Sequence, residues 1–303
     1  MEDAIKRLYR NYQSPAPRNR TLFLTEEDRR TYSHFYGLED LKASKNLAEL
    51  LDKIYNCDCI AGMRALPDNF VDLVFADPPY NLGKDYGNGQ MRKSRDEYAD
   101  WTHRWVSEAD RLVKETGSIY VCSDWRYSGL LHSILESHFI VKNRITWRRE
   151  KGRGSKRNWK NNMEDIWFCV KSERYTFNVE AVKIRKKVIA PYRENGQPKD
   201  WVEKDGERYR MTCPPNIWID TVVPFWSMSE NTPHPTQKPQ LVLERILKAS
   251  SNRGEILLDP FMGSGTTAVV ARRLGRRFLG FELNEEYVRL SMKRLDRTQP
   301  SML

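Results

Sequence analysis

The sequence lacks any apolar run near the roughly 18 residues that a membrane-spanning helix needs. Its first residues, Met1 to Ala4, do not begin an apolar signal region. Cysteine is sparse: the five cysteines are scattered and odd in number, and Cys57-x-Cys59 has no histidine or second cysteine pair nearby. We therefore expect neither a helical membrane protein nor a disulfide-stabilised secreted domain. No metal site is predicted, and a cytoplasmic location is expected.

Acidic residues are the minority charge, with 41 Asp and Glu against 51 Lys and Arg, which gives a net charge of +10. Such a basic chain attracts polyanions, although charge alone predicts only non-specific attraction. A hydrophobic content of 39% in 303 residues is enough for one large α/β domain with additions. Apolar residues at helical spacing predict helices at 96–114 and 130–139.

The apolar stretch at 71–76 predicts a short buried strand that ends at Asp77-Pro78-Pro79-Tyr80. Prolines cannot donate to a sheet, and Pro78 favours an extended Asp77. In open α/β sheets, this carboxyl end of a strand is where ligands bind. Asp77 and the Pro78 carbonyl could each accept one hydrogen of an exocyclic base amine, which would localise its lone pair, and Tyr80 could stack on the base. Taken alone, the tetrapeptide could also be a turn with a capping Asp.

Residues 256–267 read as an apolar strand, a glycine-rich turn and a helix start. Glycines let the backbone approach a ligand, and a helix N-terminus favours a carboxylate. No Lys follows the glycines, and the spacing is not G-x-G-x-x-G, so the turn is not a phosphate loop. A further strand at 277–281 ends at Glu282, 17 residues after Gly265, about where a ribose-binding acid lies in a nucleotide-binding unit.

The two stretches resemble motif IV (D/N/S-P-P-Y/F/W) of DNA amino-methyltransferases and motif I (F-x-G-x-G) of S-adenosylmethionine (SAM) methyltransferases. Residues 234–239, His-Pro-Thr-Gln-Lys-Pro, match motif X of the same enzymes. With the catalytic motif first, the chain resembles their β class from about Ile54 to Leu295. This resemblance implies an α/β, Rossmann-like SAM-dependent methyltransferase fold. Its twisted, mostly parallel sheet carries helices on both faces, the motif order is circularly permuted, and a target-recognition region is added.

The resemblance also implies which residues form the site. The catalytic residues are Asp77, Pro78, Pro79 and Tyr80, with Pro79 setting the backbone shape. The SAM-binding residues come from strand ends, the glycine-rich turn and the 234–239 loop: Asp58, His234, Thr236, Lys238, Asp259, Phe261, Gly263, Ser264, Gly265, Thr266 and Glu282.

Two of these residues have alternatives. Asp58 matches the acid that contacts the SAM adenine, and it could also cap the helix that begins near Ile60, since the two roles are compatible. Lys238 could pair with the SAM carboxylate, or it could face solvent or DNA.

Residues 142–160 form the most basic stretch, with nine Lys or Arg against one acid and a net charge of +8. Phosphate contact by such a loop would be salt-sensitive and independent of sequence, and the alternative is a solvated charged loop. We predict DNA contact because the catalytic edge is near. The predicted DNA-binding residues are Arg148, Arg149, Lys151, Arg153, Lys156 and Arg157.

The resemblance divides the chain into an extension of unknown role (1–50), a catalytic half (51–176), a target-recognition region (177–230) and a SAM-binding half (231–303). The extension could be a cap, a dimer element, a DNA arm or simply a packed segment.

The implied function is site-specific methylation of adenine N6 in double-stranded DNA, within a restriction–modification system. Asp at the first position of motif IV goes mostly with adenine, and the target base must leave the stack to reach it. The alternatives are cytosine N4 and a silent DNA-binding relative. RNA or protein amide methylation is disfavoured by the motif order. A cognate restriction endonuclease and a homodimer are open partners.

Overall fold

The computed structural model describes residues 17–83, 92–149, 156–189 and 192–299. The strands in chain order are β1 (Lys53–Tyr55), β2 (Val71–Ala76), β3 (Val113–Ser123), β4 (Ile140–Arg148), β5 (Met163–Val170), β6 (Ile184–Lys187), β7 (Arg193–Glu194), β8 (Gln197–Pro198), β9 (Val202–Lys204), β10 (Glu207–Thr212), β11 (Ile217–Trp218), β12 (Ile256–Asp259) and β13 (Arg277–Phe281).

The helices lie mainly between strands of the central sheet. In chain order they are α1 (Glu26–Thr31), α2 (Leu38–Ala43), α3 (Leu47–Leu50), α4 (Cys59–Arg64), α5 (Arg95–Leu112), α6 (Trp125–Glu136), α7 (Val179–Val182), α8 (Gln240–Ser250), α9 (Thr266–Arg273) and α10 (Glu285–Asp296).

Eight strands form one mixed sheet in the order β1-β13-β12-β2-β3-β5-β4-β11. The four pairs β1–β13, β13–β12, β12–β2 and β2–β3 are parallel. Strand β5 runs antiparallel to both β3 and β4, and β11 is parallel to β4. The sheet is therefore mostly parallel, as the resemblance predicts. The reversal at β5 matters for the site, because it brings the beginning of that strand to the edge where the parallel strands end.

Strand β2 is buried on both faces, which explains its continuous apolar sequence. Val74 packs in one core cluster with residues of α4, α5 and α6. Leu73 and Phe75 point the other way, into a second cluster that contains residues of α8, α9 and α10. Helices thus cover both faces of the sheet, as expected.

Helix α6 begins earlier than its apolar spacing predicts, at Trp125 rather than near residue 130. The side chain of Asp124 accepts a hydrogen bond from the backbone N–H of Arg126 at 3.1 Å and caps the first turn. The capping Asp was the overlooked signal, because it lies outside the apolar pattern.

The region between β5 and α8 contributes little to the central sheet. It forms a three-stranded sheet in the order β6-β10-β9 and a separate β7–β8 hairpin, and among its described strands only β11 joins the central sheet. Most of the described residues between 184 and 212 are exposed.

The described part of the extension packs on the C-terminal helix. Lys293 of α10 donates to the Phe23 carbonyl at 2.7 Å and to Asp28 at 2.5 Å, and Tyr36 pairs with Tyr55 of β1. Of the alternatives given for the extension, the contacts of residues 17–50 fit a segment that packs against the rest of the protein.

None of the helices in the described ranges is long and apolar enough to cross a membrane. All five cysteines are free thiols; Cys59, Cys122 and Cys169 are buried, and Cys213 is exposed. Within the same ranges, no group of three His, Cys, Asp or Glu residues is arranged to hold a metal ion.

Candidate active site

The carboxyl ends of the central parallel strands bring several acids to one edge of the sheet. Strands β2 and β12 pair directly, with Leu73 opposite Leu257. Asp77 follows β2, Asp259 ends β12, and Glu282 follows β13. A cavity at this edge is lined by residues of both sequence motifs and of the 234–239 loop. The predicted catalytic and cofactor-binding stretches therefore meet at one place.

Asp77 is held at both of its oxygens. Its Oδ1 accepts the hydroxyl of Tyr80 at 2.6 Å, and its Oδ2 lies 2.5 Å from the ammonium of Lys238. The Pro79 carbonyl accepts the hydroxyl of Tyr98 at 3.0 Å, which fixes the turn from the side of α5. The Asp77 side chain is 15% exposed and is one of the residues that line the cavity.

Tyr80 is buried, with its ring in the core and its hydroxyl directed at Asp77 and, at 3.3 Å, at Glu164. In this arrangement the hydroxyl of Tyr80, rather than the face of its ring, points toward Asp77. The stacking role of Tyr80 stays a prediction.

Lys238 lies in a place that the sequence alternatives did not include. Its side chain is 5% exposed, and its ammonium contacts Asp77 and lies 3.4 Å from Glu164. Its burial is inconsistent with the solvent-facing alternative, and a contact with the SAM carboxylate stays a prediction.

Glu164 is the residue that sequence reasoning missed. It lies at the beginning of β5, its side chain is 5% exposed, and Arg149 donates to it at 2.9 Å. The signal was available: two adjacent acids, Glu164 and Asp165, stand in an otherwise apolar strand, and both are buried. A buried acid with charged partners is more often structural or functional than incidental.

The electrostatics of this cluster favour neutral Tyr80 and charged Lys238. Burial raises the pKa of Tyr80 well above its ordinary value, and the neighbouring acids add to the effect. Burial alone would lower the pKa of Lys238, but Asp77 and Glu164 more than reverse this and the pKa is raised. The pKa of Asp77 is raised by burial and by Glu164, while Lys238 opposes both.

The glycine-rich turn is shaped for close approach. Gly263 and Gly265 have φ of 55° and 79°, and a Cβ on Gly265 would lie 2.7 Å from the side chain of Ser291. Arg294 donates from beneath to the Ser264 carbonyl at 2.6 Å and to the Thr266 hydroxyl at 3.1 Å.

The acids around this turn are anchored by backbone and hydroxyl donors. Asp259 accepts from Thr267 at 2.6 Å and from the backbone N–H of Phe261 at 2.9 Å, and burial raises its pKa to about 7. Glu282 accepts the backbone N–H of Gly263 at 2.9 Å, and burial raises its pKa to about 7.

The 234–239 loop is held by its own polar residues. Gln237 accepts the Thr232 hydroxyl at 2.6 Å and donates to the Glu230 carbonyl at 2.6 Å. The ring of His234 lies edge-on to Tyr287 of α10 at 4.5 Å, and its Nδ1 accepts the backbone N–H of Thr236 at 3.3 Å. The loop lines the cavity beside Gly263, whose Cβ position would lie 3.0 Å from the His234 ring.

Asp58 caps the N-terminus of α4, which is one of the two roles that the sequence predicts for it. Its Oδ1 accepts the backbone N–H groups of Ile60 and Ala61, both at 3.0 Å. The residue is exposed at the end of β1, next to β13. A contact with the SAM adenine remains compatible with this cap and stays a prediction.

The four predicted DNA-binding residues that the structure describes divide into two groups. Arg149 is paired with Glu164, and Arg148 donates to the Ile219 carbonyl at 2.9 Å, so both guanidinium groups face the protein. Lys156 and Arg157 are exposed in the β4–β5 connection. Lys151 and Arg153 lie outside the described residues.

The residues around the glycine-rich turn are chemically suited to bind SAM. Two glycines at positive φ let the backbone reach a ligand, a partly buried acid follows the neighbouring strand, and Phe261 offers an apolar ring beside them. Glu282 would accept the ribose hydroxyls, and the turn with the 234–239 loop would hold the methionine part. When bound, SAM supplies the activated methyl group.

Comparison with known proteins gives the family. The chain matches the family described as DNA methylase (N6_N4_Mtase) across residues 71–293. The chain belongs to this family of DNA methylases. Among curated relatives, YhdJ of Escherichia coli, named a DNA adenine methyltransferase, is 36% identical over 251 residues, covering 80% of this chain and 82% of that protein.

Two further comparisons agree. The type II methyltransferase M.HpaI of Haemophilus parainfluenzae is 34% identical over 242 residues, or 79% of this chain and 72% of the relative. The solved M1.HpyAVI–SAM complex is 27% identical with a TM-score of 0.53, covering 80% of this chain and 98% of that one. The methylase fold, DNA as the substrate, SAM as the cofactor and methyl transfer as the reaction are therefore confirmed for this chain.

Proposed function

We propose that the protein methylates the N6 amine of adenine at a specific site in double-stranded DNA. The observation that carries this proposal is the position of Asp77. Its carboxylate follows β2 at the strand end, next to the glycine-rich turn after β12 and within the same cavity.

In the proposed reaction, Asp77 and the Pro78 carbonyl accept the two hydrogens of the amine and turn its lone pair toward the methyl group. Each carboxylate oxygen has two lone pairs, so the contacts from Tyr80 and Lys238 leave acceptor capacity. Bound SAM would supply the methyl group as an electrophile with a neutral thioether as its leaving group, and Asp77 would accept the N–H proton that the amine gives up. Orientation and electrostatics carry most of the effect, because the sulfonium is already a good leaving group.

Adenine is favoured over cytosine on two grounds. The first position of the tetrapeptide is Asp, which goes mostly with adenine in the resembling family, and YhdJ is named for adenine. Cytosine N4 presents the same local geometry and is the main alternative outcome of the test below.

The proposed division of labour follows the sequence boundaries: 51–176 for catalysis, 177–230 for target recognition and 231–303 for SAM. The small sheet and the hairpin at 184–212 support the middle assignment, because they stand apart from the central sheet and carry many exposed polar residues. Base-edge readout needs such side chains.

We further propose that the enzyme acts on cytoplasmic DNA and that its methylation protects the same site against a cognate restriction endonuclease. The similarity to M.HpaI, a type II methyltransferase, supports this context. A homodimer also remains a proposal.

The direct test is to express the protein in a host without DNA methylation and to map modified bases by single-molecule sequencing. We expect methyladenine in one recurrent short motif. Asp77→Ala should lower turnover by about a thousandfold while SAM and DNA binding persist. Methylcytosine would overturn the base assignment, and near wild-type turnover by Asp77→Ala would overturn the catalytic assignment.

A further inference from the structure

Asp77 belongs to a buried cluster of alternating charges. The Lys238 ammonium is 2.5 Å from Asp77 Oδ2 and 3.4 Å from Glu164 Oε2, and Arg149 lies 2.9 Å from Glu164 Oε1. The cluster joins four separate segments: the turn after β2, the end of β4, the start of β5 and the 234–239 loop. The cluster contains two acidic and two basic side chains, so its formal net charge is zero when all four are ionised.

The balance matters because two buried carboxylates next to one another cannot both stay ionised without a cation. If Lys238 were absent, Arg149 would still pair with Glu164, but Asp77 would have no cation in contact and would take up a proton at a higher pH. A protonated Asp77 would present an O–H donor to the target amine, where the reaction needs an acceptor.

Three other titratable groups that lie near Asp77 do not supply this cation. Tyr80, on the same turn, and Cys122 of β3 are kept neutral because burial raises the pKa of each well above its ordinary value. Asp259 of β12 is a further acid, with a pKa of about 7 through burial. Among the described residues, Lys238 is the cation in contact with Asp77.

We propose that Lys238 and Glu164 are positioning residues for the methyl transfer. Lys238 holds Asp77 ionised and fixed in orientation, and Glu164, itself held by Arg149, keeps Lys238 in place. The proposal rests on the catalytic role proposed for Asp77. It assigns the lysine of the 234–239 loop to the catalytic carboxylate rather than to SAM.

The test compares Lys238→Met, Glu164→Gln and the double variant that carries both changes. Lys238→Met removes the cation, so the pH profile of single-turnover methylation should shift to higher pH, with about a hundredfold loss near neutral pH that is largely recovered in alkali. Glu164→Gln removes the competing acid, so the profile should shift to lower pH. The double variant should return toward the wild-type profile, because the local charge is balanced again.

Lys248→Met is the matched control. Lys248 lies in α8, ten residues after Lys238, and pairs with Glu244 at 2.6 Å without touching the catalytic cluster. The same substitution there should leave the pH profile unchanged. SAM affinity, measured by calorimetry, should stay near wild type in all four variants.

Carbon-13 NMR of labelled Asp carboxyl groups separates this proposal from the proposed function, since it reports protonation of Asp77 without turnover. The signal of Asp77 is identified by its loss in Asp77→Asn. We expect its titration to move to higher pH in Lys238→Met and back in the double variant. An unchanged titration, or a double variant as impaired as Lys238→Met, would overturn the proposal. Turnover retained by Asp77→Ala would instead remove the proposed function and leave the titration result standing.

Discussion

At the residue scale, the glycine-rich turn that is proposed to hold SAM (the cofactor turn) depends on Gly265, which is constrained both by its backbone conformation and by a neighbouring helix. Gly265 has φ of 79°, a left-handed conformation that side chains rarely adopt, and it also lies against α10. A Cβ there would lie 2.7 Å from both Cβ and Oγ of Ser291, and the Ser291 hydroxyl already donates to the Gly263 carbonyl at 3.0 Å. The turn and the helix thus fix each other.

Gly265→Ala should therefore destabilise the protein by both effects. The left-handed backbone costs roughly 1–2 kcal/mol, and the contact with Ser291 adds about 1–3 kcal/mol of overpacking. The free energy of unfolding from urea titration measures the sum. SAM affinity should also fall, since the clash displaces the turn that is proposed to hold SAM.

Gly254→Ala is the control for the backbone effect alone. Gly254 has φ of 80°, and a Cβ there meets nothing within 4 Å. This variant should lose only the first part of the stability and should bind SAM normally. Equal losses in the two variants would mean that contact with Ser291 is unimportant.

Residues that stand at the end of a strand could be predicted from the sequence, and residues defined by distant partners could not. Asp77, Asp259 and Glu282 follow apolar strands, so their positions come from local pattern and sheet geometry. Glu164 and Lys238 meet only through the topology, because 74 positions of sequence separate them. A lysine in a polar loop gives no local sign that it will be buried.

At the element scale, the antiparallel reversal at β5 completes the site. Ser123, the last residue of β3, pairs with Asp165, and Arg148, the last of β4, pairs with Met163. The end of β4 and the beginning of β5 therefore reach the same edge as Asp77. The connection between them, which includes the exposed residues 156–160, leaves the sheet beside the active site.

That placement sharpens the DNA-binding prediction. Because Arg148 and Arg149 face the protein, the exposed Lys and Arg residues of this connection are better placed for phosphate contact. Changing Lys156, Arg157 and Lys160 together to Gln should weaken DNA binding and reduce the slope of log K against log salt. Each lost phosphate contact removes about 0.9 from the slope, so we expect a reduction of about one to three.

An equally charged change elsewhere supplies the comparison. Arg30, Lys42 and Lys45 are exposed basic residues of the N-terminal segment, outside the β4–β5 connection. Their triple Gln variant has the same net charge, so it tests whether position rather than total charge matters. Identical slopes for both triple variants would place the 156–160 segment outside the DNA interface.

At the scale of the whole molecule, residues near the two ends of the chain pack on each other. Besides the Lys293 contacts, Arg29 pairs with Glu286 at 3.1 Å and Tyr32 donates to Asp296 at 2.8 Å, so α1 is joined to α10 along its length. Since α10 also supports the cofactor turn through Ser291 and Arg294, the N-terminal segment stabilises the SAM-binding half indirectly.

Lys293→Met should test this connection, because it leaves the Asp28 carboxylate and the Phe23 carbonyl without their ammonium donor. The side chains of Lys293 and Asp28 are 7% and 18% exposed, and we expect a loss of about 2–3 kcal/mol at neutral pH. Lys42→Met, at an exposed pair with Glu39, should cost less than about 0.5 kcal/mol.

The pH dependence identifies the charge pair as the cause. Burial raises the pKa of Asp28, but hydrogen bonds from Lys293 and Thr25 more than reverse this, so its folded pKa lies below 3.8. A lowered carboxyl pKa stabilises the fold above the unfolded pKa and loses that effect as pH falls through the folded value. The difference in unfolding free energy between Lys293→Met and wild type should therefore be constant above about pH 5 and shrink in acid. A difference that stays constant in acid would mean that lost packing, not charge, holds the N-terminal segment to α10.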